Sequence, residues 1–162
     1  MEKTSDKIVS IAECRQRVAL WKKSGDRIVF TNGCFDIIHL GHVDYLERAR
    51  DLGNRLIVGL NTDRSVGQFK GPGRPVQNEV SRARVLASFQ FVDLVVLFDE
   101  ETPFQLISAV VPDILVKGSD YLAENIVGAD VVKKAGGQVA TLDFVKGYST
   151  SSVIERIKKE TK

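Results

Sequence analysis

Between Arg27 and Asp51 the chain runs RIVFTNGCFDIIHLGHVDYLERARD, passing from a strand pattern to a helical one with only a glycine-bearing turn between. Arg27 to Thr31 is short and apolar, Asn32 to Ile38 reads as the turn, and Leu40 to Asp51 places Val43, Leu46 and Ala49 at helical spacing. Arg55 to Leu60 is a second apolar run, so strand, helix and strand make a parallel βαβ unit. The pattern then repeats. Asp93 to Phe98, Asp113 to Val116 and Gln138 to Leu142 read as further strands, and Glu79 to Phe89, a segment opening at Thr102-Pro103, Asn125 to Ala135 and Thr150 to Lys159 read as helices. Ile11 to Lys23, stopping at Ser24-Gly25, is an amphipathic helix expected to pack on the sheet. These elements predict an α/β fold: a doubly wound, five-stranded parallel sheet of Rossmann-like type, in a single domain over 1–162 with 1–25 as a helical extension.

A chain of 162 residues suits one domain that buries about two-thirds of its unfolded surface. With 23 basic and 21 acidic residues the net charge is only +2, without the basic excess of a general nucleic-acid binder. No apolar run is long enough to span a membrane, and the opening MEKTSDKIVSIAECRQRV has no signal-peptide core, so a cytoplasmic protein is expected. Cys14 and Cys34 have neither CxxC nor metal-ligand spacing and read as free thiols.

A helix start leaves backbone N–H groups unpaired beside the positive end of the helix dipole, which makes it a natural anion site. Here Gly33 permits close backbone approach, and His39 and His42, the chain's two histidines, flank Gly41 in the pattern H-x-G-H. Three other segments follow strands and are expected over the same crevice, at the carboxyl ends of the sheet. Arg64 to Asn78, RSVGQFKGPGRPVQN, shows neither period and reads as a lid bearing Arg64, Lys70 and Arg74. The turn Lys117-Gly118-Ser119-Asp120-Tyr121 combines a cation, a glycine and an aromatic ring. Ser149-Thr150-Ser151-Ser152 offers four hydroxyls at a helix start, where Ser149 or Ser152 alone would serve as the cap. No Ser/His/Asp arrangement and no G-x-x-x-x-G-K-[ST] loop is present, so the chemistry on offer is stabilisation of charge at phosphorus by position and electrostatics.

The segment NGCFDIIHLGHVDYLERAR resembles the first motif of the cytidylyltransferase-like nucleotidyltransferases. The fuller resemblance, from about Ile28 to Ile157, is to their heptose 1-phosphate adenylyltransferase branch, through KGPGRPV, KGSDY and GYSTSSVI. That resemblance implies in-line attack of a sugar 1-phosphate on the α-phosphorus of ATP, giving ADP-heptose and pyrophosphate without a covalent intermediate. It places His39, His42 and Lys70 on the triphosphate, Thr31, Asn32, Gly33, Cys34 and Phe35 around the α-phosphate, and Gly41 between the histidines. Arg82 corresponds to the arginine of an E-x-R motif that contacts phosphates, although Val80 and Ser81 stand where relatives carry Glu and Gln. Lys117, Gly118, Asp120 and Tyr121 correspond to the nucleotide-recognition turn, and Ser149, Thr150, Ser151 and Ser152 to a phosphate motif.

Asp36, Asn61, Asp63 and Arg74 are assigned to the sugar phosphate, with Asp36 and Asp63 equally suited to capping a turn and a loop. Mg²⁺ is expected on the ATP phosphates, with no residue assigned as its ligand. A separate sugar kinase is implied as a pathway partner, and the N-terminal helix could serve a homodimer. Other readings are a glycerol-3-phosphate-type cytidylyltransferase, adenylyl transfer to flavin mononucleotide or pantetheine phosphate, and a nucleotide-binding module without turnover.

Overall fold

The computed structural model describes residues 3–122 and 125–161. Its strands are β1 (Ile28–Gly33), β2 (Arg55–Asn61), β3 (Leu94–Phe98), β4 (Ile114–Gly118) and β5 (Gln138–Leu142). Its helices are α1 (Ile11–Lys23), α2 (Leu40–Arg50), α3 (Asp63–Lys70), α4 (Glu79–Ala87), α5 (Phe104–Val110), α6 (Ala129–Lys134) and α7 (Thr150–Glu160). The strands pair in parallel throughout, in the order β3-β2-β1-β4-β5. The chain winds outward from β1 through β2 to β3, then returns to the other side of β1 for β4 and β5. The order therefore reverses between β1 and β4, and ligands bind at such a reversal in open α/β sheets.

Side chains alternate across the sheet, which splits the core into two clusters. On one face Ile28, Phe30, Ile57, Leu94, Val96 and Leu115 meet Cys14 and Val18 of α1, Leu106 and Ile107 of α5, and Val132 of α6. On the other, Val29, Leu56, Val58, Val95 and Val116 meet Tyr45, Leu46 and Ala49 of α2 and Ala83, Leu86 and Ala87 of α4. The inner strands, covered on both faces, have no solvent side and read as apolar runs, whereas β5 at the edge is partly exposed. The first residues are tied into this body. Ile8 bridges Val95 in parallel, and the Lys7 ammonium donates to the carbonyls of Phe89 (3.2 Å) and Val92 (2.8 Å).

Four elements depart most from the sequence pattern. β1 and β4 each continue two residues further, because Asn32 and Gly33 pair with Gly59 and Leu60, and Lys117 and Gly118 with Thr141 and Leu142. The segment read as an irregular lid opens as α3: the Thr62 hydroxyl accepts the Ser65 N–H at 3.2 Å and Val66 is buried, but eight residues are too few to display a period. The remainder, with Gly71 and Gly73 at φ +85° and +78°, is irregular. Finally, α6 begins at Ala129 and not Asn125, because Gly128 has φ +84° and lies against Ile107. Among the described residues no helix is long and apolar enough to cross a membrane.

Candidate active site

A cavity of about 620 Å³ opens over the carboxyl ends of the strands, with Asn32 and Gly33 ending β1 and Lys117 and Gly118 ending β4 on either side of the reversal. The turn after β1 is shaped by a close contact: Phe35 has φ +45°, and a Cβ on Gly33 would stand 3.0 Å from its ring. Phe35 then packs edge-on against His42, with centroids 5.3 Å apart.

His39 is the N-cap of α2 and His42 lies in its first turn, so the two rings stack with centroids 3.8 Å apart and planes 20° apart. A Cβ on Gly41 would stand 3.1 Å from the His39 ring and 3.4 Å from Cβ of Tyr148, so the glycine leaves room for the stack. The Nδ1 atoms of both histidines are buried without a hydrogen-bond partner. Burial holds both imidazoles below their usual pKa, and His42 falls to about 4, with the neighbouring His39 and Lys70 acting in the same direction and the Ile37 backbone opposing them. Both are neutral near pH 7. An orphaned buried nitrogen is costly, and a ligand oxygen with its proton or lone pair would relieve it.

Across the seam, Lys117 is only 8% exposed and donates to Oδ1 of Asn32. Burial lowers its pKa to about 8, and its ammonium lies 5.6 Å from the centre of the Tyr121 ring. A buried cation held by an amide and a ring, without a hydrogen-bonded carboxylate, suits an incoming anion. Beside it Phe144 stacks on Tyr45 at 5.3 Å, and Tyr45 shares a 2.9 Å hydrogen bond with Thr31. A Cβ on Gly118 would collide with the Phe144 ring and approach Asp120 Oδ1 to 2.6 Å.

The carboxylates and arginines assigned to ligands are also held by protein partners. Asp36 is buried; its carboxylate accepts Arg74 Nε at 2.8 Å and the N–H groups of Val76 and Gln77 at 2.9 Å. Burial would raise its pKa, but these bonds hold it below the ordinary carboxylate range. Arg82, expected on phosphates, is 2% exposed and turned inward. It donates to the carbonyls of Gln77 (2.9 Å), Cys34 (2.7 Å) and Asn61 (2.9 Å) and to Asp63 Oδ1 (2.7 Å). Asp63 opens α3 and is taken by that arginine, while Arg74 keeps one buried nitrogen, Nη2, without a partner.

Thr31 is fully buried against Tyr45, and the hydroxyls of Ser149 and Ser152 form a capping box at the start of α7. Cavity-lining residues among those singled out are Asn32, Gly33, Cys34, Phe35, Asp36, His42, Asn61, Lys70, Lys117, Gly118, Asp120, Tyr121 and Thr150. His39, Gly41 and Tyr148 stand behind His42. Cys34 is half-buried and its thiol is pushed up by burial against the opposing effect of Lys70, Arg82 and Arg74; Cys14, fully buried, is pushed up to about 12.

Reading by motif missed Tyr45, Phe69, Asn125 and Val127 and two further parts of the lining. One is Phe144, on the loop after β5; the other is Phe98, Glu101, Thr102 and Pro103, at the end of β3 and the turn beyond it. The rule that loops at carboxyl strand ends edge the crevice applied to both and was the available signal.

Residues 30–156 match the family described as cytidylyltransferase-like. The chain is 54% identical to the bifunctional protein HldE of Magnetococcus marinus over 94% of its own length and 31% of that protein's. It is 57% identical to the protein of that name from Campylobacter jejuni subsp. doylei over 87% and 30%. It thus spans about a third of the curated relatives it matches. Among solved structures, a lipopolysaccharide core biosynthesis protein of Thermoplasma volcanium superposes with a TM-score of 0.60 at 30% identity, covering 77% of this chain and all of that one. Pantothenate synthetase of Thermus thermophilus, at 19% identity and a TM-score of 0.61 over 94% and 70% of the two chains, shares the fold.

Proposed function

Since the chain belongs to the cytidylyltransferase-like family, we propose that its cavity transfers AMP from ATP to heptose 1-phosphate, giving ADP-heptose and pyrophosphate. The observation that carries this reading is the stacked pair of neutral imidazoles at the start of α2, each with a buried, unpartnered Nδ1, facing a buried lysine across the strand reversal. A polyphosphate supplies what both halves lack.

A phosphate oxygen of the sugar 1-phosphate attacks the α-phosphorus; the new P–O bond forms as the bond to the pyrophosphate oxygen breaks. The nucleophile is already anionic, so no base is needed. His42, backed by His39, hydrogen-bonds the oxygens of the five-coordinate phosphorus, and the β1 turn from Asn32 to Phe35 borders it. Lys70, exposed at the end of α3, neutralises phosphates from the lid side and Lys117 from the opposite wall, while Tyr121 and Phe144 hold the nucleoside end. Arg82 and Asp36 act from behind, fixing the walls to which these groups are attached.

Among the described residues no group of three His, Cys, Asp or Glu is placed to hold a metal. Mg²⁺ would be carried on the triphosphate, where the ion offsets phosphate charge. The N-terminal helix remains available for a homodimer, and the sugar phosphate would come from a kinase activity.

Pyrophosphate release, measured with ATP and CTP against phosphorylated sugars and alcohols, tests the proposal. ATP with heptose 1-phosphate is expected to be the best pair, and His42→Ala to lower turnover by about a hundred- to a thousandfold while the protein stays folded. Turnover within a fewfold of the parent, or release only with CTP and glycerol 3-phosphate, would refute it.

A further inference from the structure

The cavity extends past the triphosphate groups, across the end of β2, to the end of β3 and the turn leading into α5. Most acidic groups on that side are committed. Asp36 holds Arg74, Asp63 holds Arg82, Asp99 is bound by Arg64 and Thr62, Glu79 accepts the Asp63 N–H, and Glu100 accepts the Asp99 N–H. Glu101 lines the cavity and, among the described residues, makes no hydrogen bond or ion pair.

A bare carboxylate repels phosphate oxygens, which only accept hydrogen bonds, whereas it binds hydroxyls, which donate them. Asn61 adds to the same inventory. Its Nδ2 is used on Ser65 (3.0 Å), but its Oδ1 has only the Cys34 thiol at 3.9 Å, so it too offers an acceptor. Phe69, Phe98 and Pro103 supply apolar surface beside these acceptors, suited to the C–H faces of a ring. Acceptors next to aromatic surface match a hydroxylated, uncharged body and mismatch a polyphosphate.

Resting on the transfer proposed above, we infer that the β3–α5 turn reads the hydroxyls of the acceptor sugar, with Glu101 as a specificity-determining residue. The phosphate of the acceptor then points back toward the histidines, while its carbons and hydroxyls lie against Glu101, Asn61 and Phe98.

The test is steady-state pyrophosphate release by Glu101→Gln and Glu101→Ala in the full chain, with heptose 1-phosphate and a deoxygenated sugar 1-phosphate as alternative acceptors. The KM for heptose 1-phosphate is expected to rise about ten- to a hundredfold in the alanine variant, with the KM for ATP within about twofold. The parent's preference for the hydroxylated acceptor should shrink by the same factor. An unchanged acceptor KM overturns the inference and leaves the transfer reaction standing. A rise confined to ATP or to the Mg²⁺ requirement also overturns it, because it would put Glu101 beside the nucleotide. A parent protein that binds ATP but releases no pyrophosphate with any acceptor overturns the transfer itself, and this subsite with it.

Discussion

Replacing Arg82 with methionine keeps the aliphatic stem and removes a guanidinium that is 2% exposed. Three carbonyl oxygens, those of Gln77, Cys34 and Asn61, lose a donor now at 2.7 to 2.9 Å. An orphaned buried polar group costs about 1–3 kcal/mol. The Asn61 bond is fully buried and takes the upper part of that range, while water recovers part of the other two. The Asp63 carboxylate, 39% exposed, rehydrates at little cost. The sum is about 3–5 kcal/mol, the size found when a buried ion pair loses one partner. For a domain of this length each kcal/mol lowers Tm by roughly 2–4 °C, so Arg82→Met should melt about 6–20 °C below the parent by calorimetry or circular dichroism. Arg82→Lys should restore little, because one ammonium cannot reproduce the divergent fork. If instead Arg82→Met melts within about 2 °C of the parent and loses only ATP affinity, the guanidinium serves the ligand and the assignment of its partners to stability is wrong.

Two pH dependences follow from the buried cationic groups. His42 titrates at about 4 when folded against 6.5 in the open chain, so the unfolded state takes the proton first as acid is added. Its neutral form therefore contributes stability above pH 6.5 that is lost as the pH falls toward 4, and urea midpoints of His42→Gln should decline less steeply across that window than the parent's; equal slopes would count against it. Lys117 has its pKa lowered from 10.5 to about 8. Calorimetric ATP affinity should therefore weaken as the pH rises past 8, whereas Lys117→Met should bind weakly and show no such step; a parent affinity constant from pH 7 to 9.5 (roughly one unit below to one and a half above the shifted value) would remove the lysine from the site.

What sequence pattern revealed, and what it concealed, follows from how local each signal is. The strand, turn and helix from Ile28 to Arg50 were legible because apolar period, glycine and histidine spacing all lie within one short segment. The doubly wound parallel sheet was legible because alternating strands and helices admit few arrangements, whereas its strand order, with the reversal beside β1, depends on pairings between distant segments. α3 was not, since in eight residues Val66 and Phe69 are the two large apolar members, and one i, i+3 pair is too little to establish a period. Charged groups were the hardest to read. Asp36, Asp63, Arg74 and Arg82 have the right types for phosphate and sugar contacts, but a side chain has few bonds to give, and partners 19 to 48 residues away claim them first. Glu101 was missed for the opposite reason, since nothing nearby in sequence marks a carboxylate left unclaimed.

Those distant claims also explain why two separate signatures belong to one site. Asp36, three residues before His39, accepts N–H groups from Val76 and Gln77 and holds Arg74, so the segment KGPGRPV is fastened to the turn that carries the histidines. Arg82, on α4, grips the same turn through the Cys34 carbonyl and the end of β2 through Asn61. The histidine turn is thus braced from two points outside its own βαβ unit, and Lys70 stands just before the fastened segment. A shift of the α3–α4 connection must move the turn at Asp36 or break three bonds to a buried carboxylate. The α3–α4 connection and the histidine turn are mechanically one piece, which is what the proposed transfer, governed by position, would require.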